Sequence, residues 1–143
     1  MALTPGELPA PAELLDLYEA VGWTAYTRTP EVLEAALAGS SFVVTSRRGD
    51  GRLDGLARAI SDDATICYLQ DVLVRPDAQR SGVGRALVEA VLQRYSHVRQ
   101  TVLLTDDEAG QRRFYEFLGF AETRDAADGT LRCFVRFSTG SGA

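Results

Sequence analysis

The sequence predicts a mixed α/β (α+β) fold: a central, largely antiparallel twisted sheet flanked by helices, in the order α-α-β-β-β-α-β-α-β-β. Three observations predict it. Apolar residues recur at helical spacing in two early stretches and two later ones. Between them the hydrophobic period shortens to that of strands, in runs bounded by Gly, Asp and Ser. Strands and helices then alternate, which layers helices on a sheet. At 143 residues the chain is long enough for one domain with its own core, without internal repeats or a low-complexity linker.

In chain order, residues 1–11 hold Pro5, Pro9 and Pro11 and read as an irregular lead-in with room for a short edge strand. From Ala12 to Val21, Leu14, Leu15, Leu17, Tyr18 and Val21 fall on one helical face, with Gly22 as C-cap. Trp23 and Tyr26 follow in a loop. Thr29 and Pro30 mark the next helix as N-cap and first residue, and Gly39 ends it. Ser41–Ser46, Leu53–Ile60 and Ala64–Val74 are strands, the third so apolar that it reads as the central one, covered on both faces. A helix from Gly82 to about Tyr95 carries Val83, Leu87 and Val91 beside Gly84, Val88 and Leu92. Thr101–Thr105 is a short strand, Gly110–Leu118 a helix stopped by Gly119, and 120–123 and 131–137 two strands around the polar turn 125–129. Residues 138–143 read as a flexible tail.

The 45% hydrophobic and 24% charged shares are those of an ordinary soluble protein. A net charge of −5 argues against nucleic acid as partner, which selects a basic face. Cys67 and Cys133 stand in separate apolar runs and read as plain buried thiols. There is no CxxC or histidine cluster, and so no metal site. No apolar run approaches the roughly 20 residues of a membrane span, and the first residues lack the pattern of a secretory signal. The expectation is a cytoplasmic, reduced protein with no membrane partner.

The stretch from Val72 to Leu87 carries the chemistry. It runs from an apolar strand through a polar turn into a helix with Gly82 and Gly84 at its start. The first N–H groups of a helix have no partner within it and lie at the positive end of its dipole, so this is an anion site suited to phosphate. A triphosphate loop would need lysine after the glycines, and the chain contains no lysine. A dinucleotide fingerprint would need a third glycine where Leu87 stands. What remains is Val74-x-Pro76 followed by Gln79-x-x-Gly82-x-Gly84.

Here the sequence resembles the GCN5-related N-acetyltransferases (GNAT). The downstream segment Phe114-Tyr115-Glu116-Phe117-Leu118-Gly119-Phe120 is similar to a second signature of that family, in the expected order and with a strand between. The resemblance covers residues 40–137 and, more loosely, the two leading helices. It implies an N-acetyltransferase that moves an acetyl group from acetyl-CoA to a primary amine of a small molecule or peptide, by direct attack in a ternary complex. It further implies that Val72, Leu73 and Val74 offer backbone groups to the pantetheine arm, and that Gln79, Arg80, Ser81, Gly82, Val83, Gly84 and Arg85 cradle the pyrophosphate. Tyr115 matches the family's tyrosine that protonates the thiolate. For the base, Asp71 is the first candidate, with Gln70 and Asp106 as rivals; strand alternation sends Gln70 and Asp71 to opposite faces. Trp23 and Tyr26 are candidates for the acceptor wall, or anchors of the helix pair. His97 reads as a solvated helix end, and Arg112 and Arg113 as a solvated face within reach of phosphates. Glu108 and Gln111 stand where the family often has asparagine and alanine, so that asparagine contact does not carry over. A homodimer is compatible with the resemblance. The competing functions are a non-catalytic acyl-CoA binding or sensing module, which the presence of Tyr115 opposes, and transfer of another acyl group or onto a hydroxyl.

Overall fold

A computed structural model describes residues 1–138 of the chain; the predicted tail 138–143 lies outside them apart from Ser138. The contacts divide into two compact units, the first spanning Met1–Leu104 and the second beginning at Thr105.

The first unit is a five-stranded sheet in the order β1-β2-β3-β4-β5, with helices on both faces. Its strands are β1 (Ala2–Pro5), β2 (Phe42–Arg47), β3 (Leu53–Ser61), β4 (Ile66–Val74) and β5 (Gln100–Leu103). All neighbours are antiparallel except β4 and β5, which are parallel. The irregular lead-in is therefore an edge strand in part: Ala2–Pro5 pairs with β2, and Pro5 sits at its end, where its missing N–H costs little. Glu7, just beyond, and Glu13 both bind Arg47 of β2, at 2.5 and 2.6 Å.

Helices α1 (Pro11–Ala20), α2 (Thr24–Thr27) and α3 (Pro30–Ala38) precede the main strands. The start of α3 at Pro30 and its end at Gly39 match the local signals, although Thr29 makes no side-chain cap. The predicted loop at Trp23–Tyr26 winds instead into the single turn α2. Leu14, Leu17, Tyr18, Leu33 and Leu37 from α1 and α3 join Val43, Leu53, Leu56 and Leu73 of the sheet in one core. Helix α4 (Val83–Arg94) buries Val83, Leu87, Val88 and Val91 on the opposite face.

Strand β3, rather than β4, is covered on both faces. Leu53–Ala59 is buried without interruption, whereas β4 alternates between buried and half-buried positions. The apolar run 64–74 suggested otherwise because its outward positions hold Tyr68, Val72 and Val74, apolar residues that are only half covered. Cys67 is buried, and burial pushes its thiol up to about 11; Cys133 is exposed, so the expectation of two buried thiols holds for one.

The second unit contains α5 (Ala109–Phe117) and two short 3-10 turns at Thr123–Asp125 and Ala127–Gly129. The strands expected at 120–123 and 131–137 do not form. Arg112 binds Glu116, Glu122 and Asp125 at 3.2, 2.6 and 2.8 Å and gathers 122–125 into a turn on its own helix. Residues 131–137 pair with no strand among the described residues, and alternation alone does not make a strand. Among the described residues no helix is long and apolar enough to cross a membrane.

Gly55 sets how closely α4 approaches the sheet. A Cβ there would lie 2.9 Å from both Leu87 Cδ1 and Val83 Cγ1 and 3.0 Å from the Leu73 carbonyl. Gly55→Ala is expected to destabilise the fold by about 1–3 kcal/mol through overpacking, read as a lower urea midpoint with an unchanged slope.

Candidate active site

The turn between β4 and α4 is built from backbone bonds and two side-chain clasps. Pro76–Ala78 forms a 3-10 turn, Gln79 Nε2 donates to the Val74 carbonyl at 3.2 Å, and Ser81 Oγ donates to the Ala78 carbonyl at 2.5 Å. Arg80 and Gly82 both adopt the left-handed region, with φ of +65° and +87°. Gly82 is the N-cap of α4, and a Cβ there would meet nothing within 4 Å. The first acceptor–donor pair within the helix is Ala86 N–H to the Gly82 carbonyl, so the amides of Val83, Gly84 and Arg85 precede it. Arg80 is exposed; Arg85 pairs with Glu89 at 2.8 Å. The turn is held from behind by Arg52, which bridges Asp54 and Asp77, and by Arg75, which donates to the Leu53 carbonyl at 2.6 Å and to Asp16 at 2.5 Å. The result is an open, amide-lined end that fits an anion, with Val83 itself buried against the sheet.

Val72, Leu73 and Val74 follow the stretch of β4 that pairs with β5. The parallel ladder covers Ile66–Leu69 and stops, so that edge of β4 has no strand partner from Gln70 onward among the described residues. Leu73 points into the core at 1% exposure and has only its backbone to offer.

Asp71 does not line an open cleft. It is 2% exposed, and its Oδ2 accepts from Arg58 Nε at 2.5 Å and from Tyr18 Oη at 2.8 Å. Its Oδ1 faces Tyr26 Oη at 3.5 Å, and Gln70 Nε2 donates to that same hydroxyl at 3.3 Å. Burial alone would lower the Arg58 guanidinium, but the adjacent Asp71 carries it upward; burial and then Asp71 push the Tyr18 phenol up as well. For Asp71, expected as the base from position, both close donors fall on Oδ2, and Oδ1 makes only the 3.5 Å contact to Tyr26 Oη. The expected separation of Gln70 and Asp71 fails. Arg58 pairs with Asp71 and Ala59 with Leu69, which leaves Gln70 as an extra residue in β4, and both side chains reach Tyr26.

Trp23 and Tyr26 are half-buried. Their ring centroids lie 6.0 Å apart, and both pack on Tyr18, at 6.0 and 5.5 Å. His97 is exposed and bonds Asp63 at 2.9 Å, which ties the helix end to the β3–β4 turn.

In the second unit, Tyr115 is held between Phe114 and Phe120, with centroids at 5.0 and 5.7 Å in edge-on contact. Gly119, at φ +92°, lets Phe120 N–H return to the Tyr115 carbonyl at 3.0 Å. Burial, then the charge of Asp106, push the phenol up to about 12. Asp106 is exposed and caps the Glu108 N–H at 3.2 Å. Arg112 is an ion-pair hub and Arg113 is exposed. Among the described residues no group of His, Cys, Asp and Glu is placed to hold a metal.

Residues 15–135 match the family model of the acetyltransferase (GNAT) domain. The chain belongs to the GNAT acetyltransferases. The fold of a GNAT-family acetyltransferase from Streptococcus pneumoniae TIGR4 superimposes with a TM-score of 0.79 at 30% identity, covering 96% of this chain and 98% of that one. The GCN5-related N-acetyltransferase 2, chloroplastic, of Arabidopsis thaliana is 38% identical over 132 residues, 76% of this chain and 48% of the relative. An uncharacterised N-acetyltransferase of Pyropia yezoensis is 28% identical over 120 residues, 82% of this chain and 68% of the relative.

For this GNAT acetyltransferase, sequence reasoning missed Arg58 and Tyr18, the partners of Asp71. One signal was available: Arg58 and Asp71 are opposite charges set in two consecutive apolar strands, each of which needs a counter-ion if buried. Tyr18 looked like an ordinary core position on an apolar stripe. Tyr18→Phe leaves Asp71 Oδ2 with Arg58 as its one close donor. It is expected to cost about 1–3 kcal/mol, measured by chemical denaturation; an unchanged midpoint would show that the hydroxyl does not support the carboxylate.

Proposed function

We propose that this GNAT acetyltransferase moves the acetyl group of acetyl-CoA to a primary amine of a small molecule or peptide, by direct attack in a ternary complex. The observation that carries the reading is the amide-lined start of α4, where Arg80 and Gly82 turn left-handed and open space stands over Gly82. An anionic pyrophosphate fits that end, cradled by Gln79–Arg85, with Gln79 and Ser81 acting as clasps of the turn. The unpaired edge of β4 at Val72–Val74 supplies backbone groups for the pantetheine arm. When bound, acetyl-CoA supplies an activated thioester carbonyl.

Trp23 and Tyr26 form the acceptor wall. Asp71 acts on the amine through Tyr26 and not by contact, which makes it a positioning residue. The amine attacks as its free base, its ammonium proton having passed to water; as the C–N bond forms and the C–S bond breaks, the nitrogen gives a second proton to water and the sulfur leaves as thiolate. Tyr115 donates a hydrogen bond to the departing thiolate. Full transfer is uphill, because a phenol at about 12 holds its proton more tightly than a thiol with a pKa near 8.5.

The test mixes purified protein with acetyl-CoA and a panel of primary amines and follows free thiol. Turnover with at least one amine is expected. Its kcat/KM should rise about tenfold per pH unit below the amine's own pKa, and the plateau should move with that pKa when the amine is changed. Coenzyme binding without turnover on any amine would instead favour an acyl-CoA sensor.

Tyr115→Phe is expected to lower kcat by about a hundredfold. The sign of its shift places no Tyr115 ionisation below pH 10: the phenol is neutral, and able to donate, throughout that range. Wild type and variant should therefore show the same alkaline behaviour between pH 8 and 10, measured by initial rates. An unchanged kcat would remove Tyr115 from the reaction.

A further inference from the structure

Tyr26 stands where the buried charge network of the first unit meets its half-buried aromatic wall. A phenol oxygen has one proton and two lone pairs. The proton of Tyr26 is directed at Asp71 Oδ1, and one lone pair accepts from Gln70 Nε2. One lone pair remains. Gln70 spends its Nε2 on Tyr26, and its Oε1 has no hydrogen-bond partner among the described residues. Because Gln70 is the extra residue of the β4 bulge, its amide lies on the same side as Tyr26 and not across the sheet. The charge of Asp71 is balanced by Arg58 at 2.5 Å, so the carboxylate orients Tyr26 without presenting an unpaired negative charge. Trp23, with its ring centroid 6.0 Å from that of Tyr26, adds an apolar face beside the two oxygens.

Two acceptor oxygens next to an aromatic face, with no unbalanced charge behind them, suit a group that offers two N–H bonds and an apolar substituent. We infer that Tyr26 Oη and Gln70 Oε1 together receive the two N–H groups of a neutral primary amine, and that this pair favours primary over secondary amines as acceptors. The inference deepens the acetyl-transfer reading and rests on it for the word acceptor. Tyr26 and Gln70 are the specificity-determining contacts, and Asp71 fixes the direction of the Tyr26 hydroxyl. Such a pair leaves the nitrogen's own lone pair pointing away from both oxygens, which is the orientation attack requires.

The chain has a single tryptophan, Trp23, so its fluorescence reports this wall alone. The experiment titrates the full chain with phenethylamine and with N-methylphenethylamine at pH 10, where a substantial share of each amine is neutral, excites Trp23, and in parallel measures thiol release with phenethylamine. A saturable change with phenethylamine is expected, about tenfold tighter than with the N-methyl compound. Tyr26→Phe and, separately, Gln70→Met should each weaken phenethylamine about tenfold and erase the preference, with coenzyme A affinity as in wild type; Gln70→Met keeps the wild-type melting temperature, whereas Tyr26→Phe lowers it because Asp71 Oδ1 loses its donor. Equal binding of the two amines, no saturable change, or an unchanged preference in both variants overturns the inference. Thiol release with an unaltered amine KM in Tyr26→Phe also overturns it, while leaving acetyl transfer standing. Selective amine binding without thiol release from any amine does the reverse: the pair stands and the transfer reading falls.

Discussion

The pairing of Arg58 with Asp71 constrains the first unit more than any other contact. Both residues lie under 10% exposed on adjacent strands, opposite each other in register. A buried ion pair gains little by itself, but a buried ion that loses its partner is very costly. The remaining acceptor capacity of the carboxylate must also be filled, and it is filled from the helical layer, by Tyr18 of α1 and Tyr26 of α2. Ser40, just past α3, completes the surround at 3.4 Å from Arg58. A shift of α1 by one turn along the sheet would strand Asp71. The apolar contacts of Leu14, Leu17, Leu33 and Leu37 tolerate small sliding; the hydroxyl of Tyr18 does not. Hydrophobic burial supplies most of the driving force, and the ion pair chooses the register.

A second device recurs at both helix ends that carry a tyrosine of interest. At the end of α1, Gly22 turns left-handed, Trp23 N–H returns to the Tyr18 carbonyl at 3.0 Å, and the Trp23 ring meets Tyr18 edge-on. At the end of α5 the same bonds link Gly119, Phe120 and Tyr115, again with edge-on rings. The left-handed glycine satisfies the last carbonyls of the helix and reverses the chain, so that the next aromatic folds back on the tyrosine. Edge-to-face contact then restrains the ring. One sequence pattern, Tyr-x-x-x-Gly-aromatic, thus restrains a tyrosine ring by contacts between near neighbours, to which Tyr18 adds its hydroxyl bond to Asp71.

That locality explains how much was legible in advance. Pro30, Gly39, Gly22 and Gly119 punctuate the chain at positions that hold in the fold, and the helix from Gly82 begins with its glycine as N-cap, because caps and turns depend on neighbouring residues alone. Leu131–Phe137 failed for the opposite reason: its alternation is local, but a strand also needs an edge to bond. The centre of the sheet was misplaced in the same way. The apolar run of β4 looked more buried than β3, yet coverage on both faces follows from the order of strands, and β3, with Gly55 under α4, has it.

The candidate site divides along that line. The amide-lined start of α4 is a feature of the backbone, and glycine spacing is a statement about backbone, so its residues stood out by inspection. The Tyr26 wall is made of side chains brought together over 45 residues, through a bulge that exists because β3 and β4 pair with one register shift. No spacing along the chain encodes that bulge. It arises where Arg58 must face Asp71 while Ala59 must face Leu69, and the residue left over, Gln70, becomes the one whose amide is free to turn toward Tyr26. The ion pair that fixes the register therefore also creates the polar edge of the wall. A change that preserved charge but moved the pair by two residues along both strands would keep the core and lose the juxtaposition of Gln70 with Tyr26, since that juxtaposition is a property of where the strands slip and not of which residues they contain.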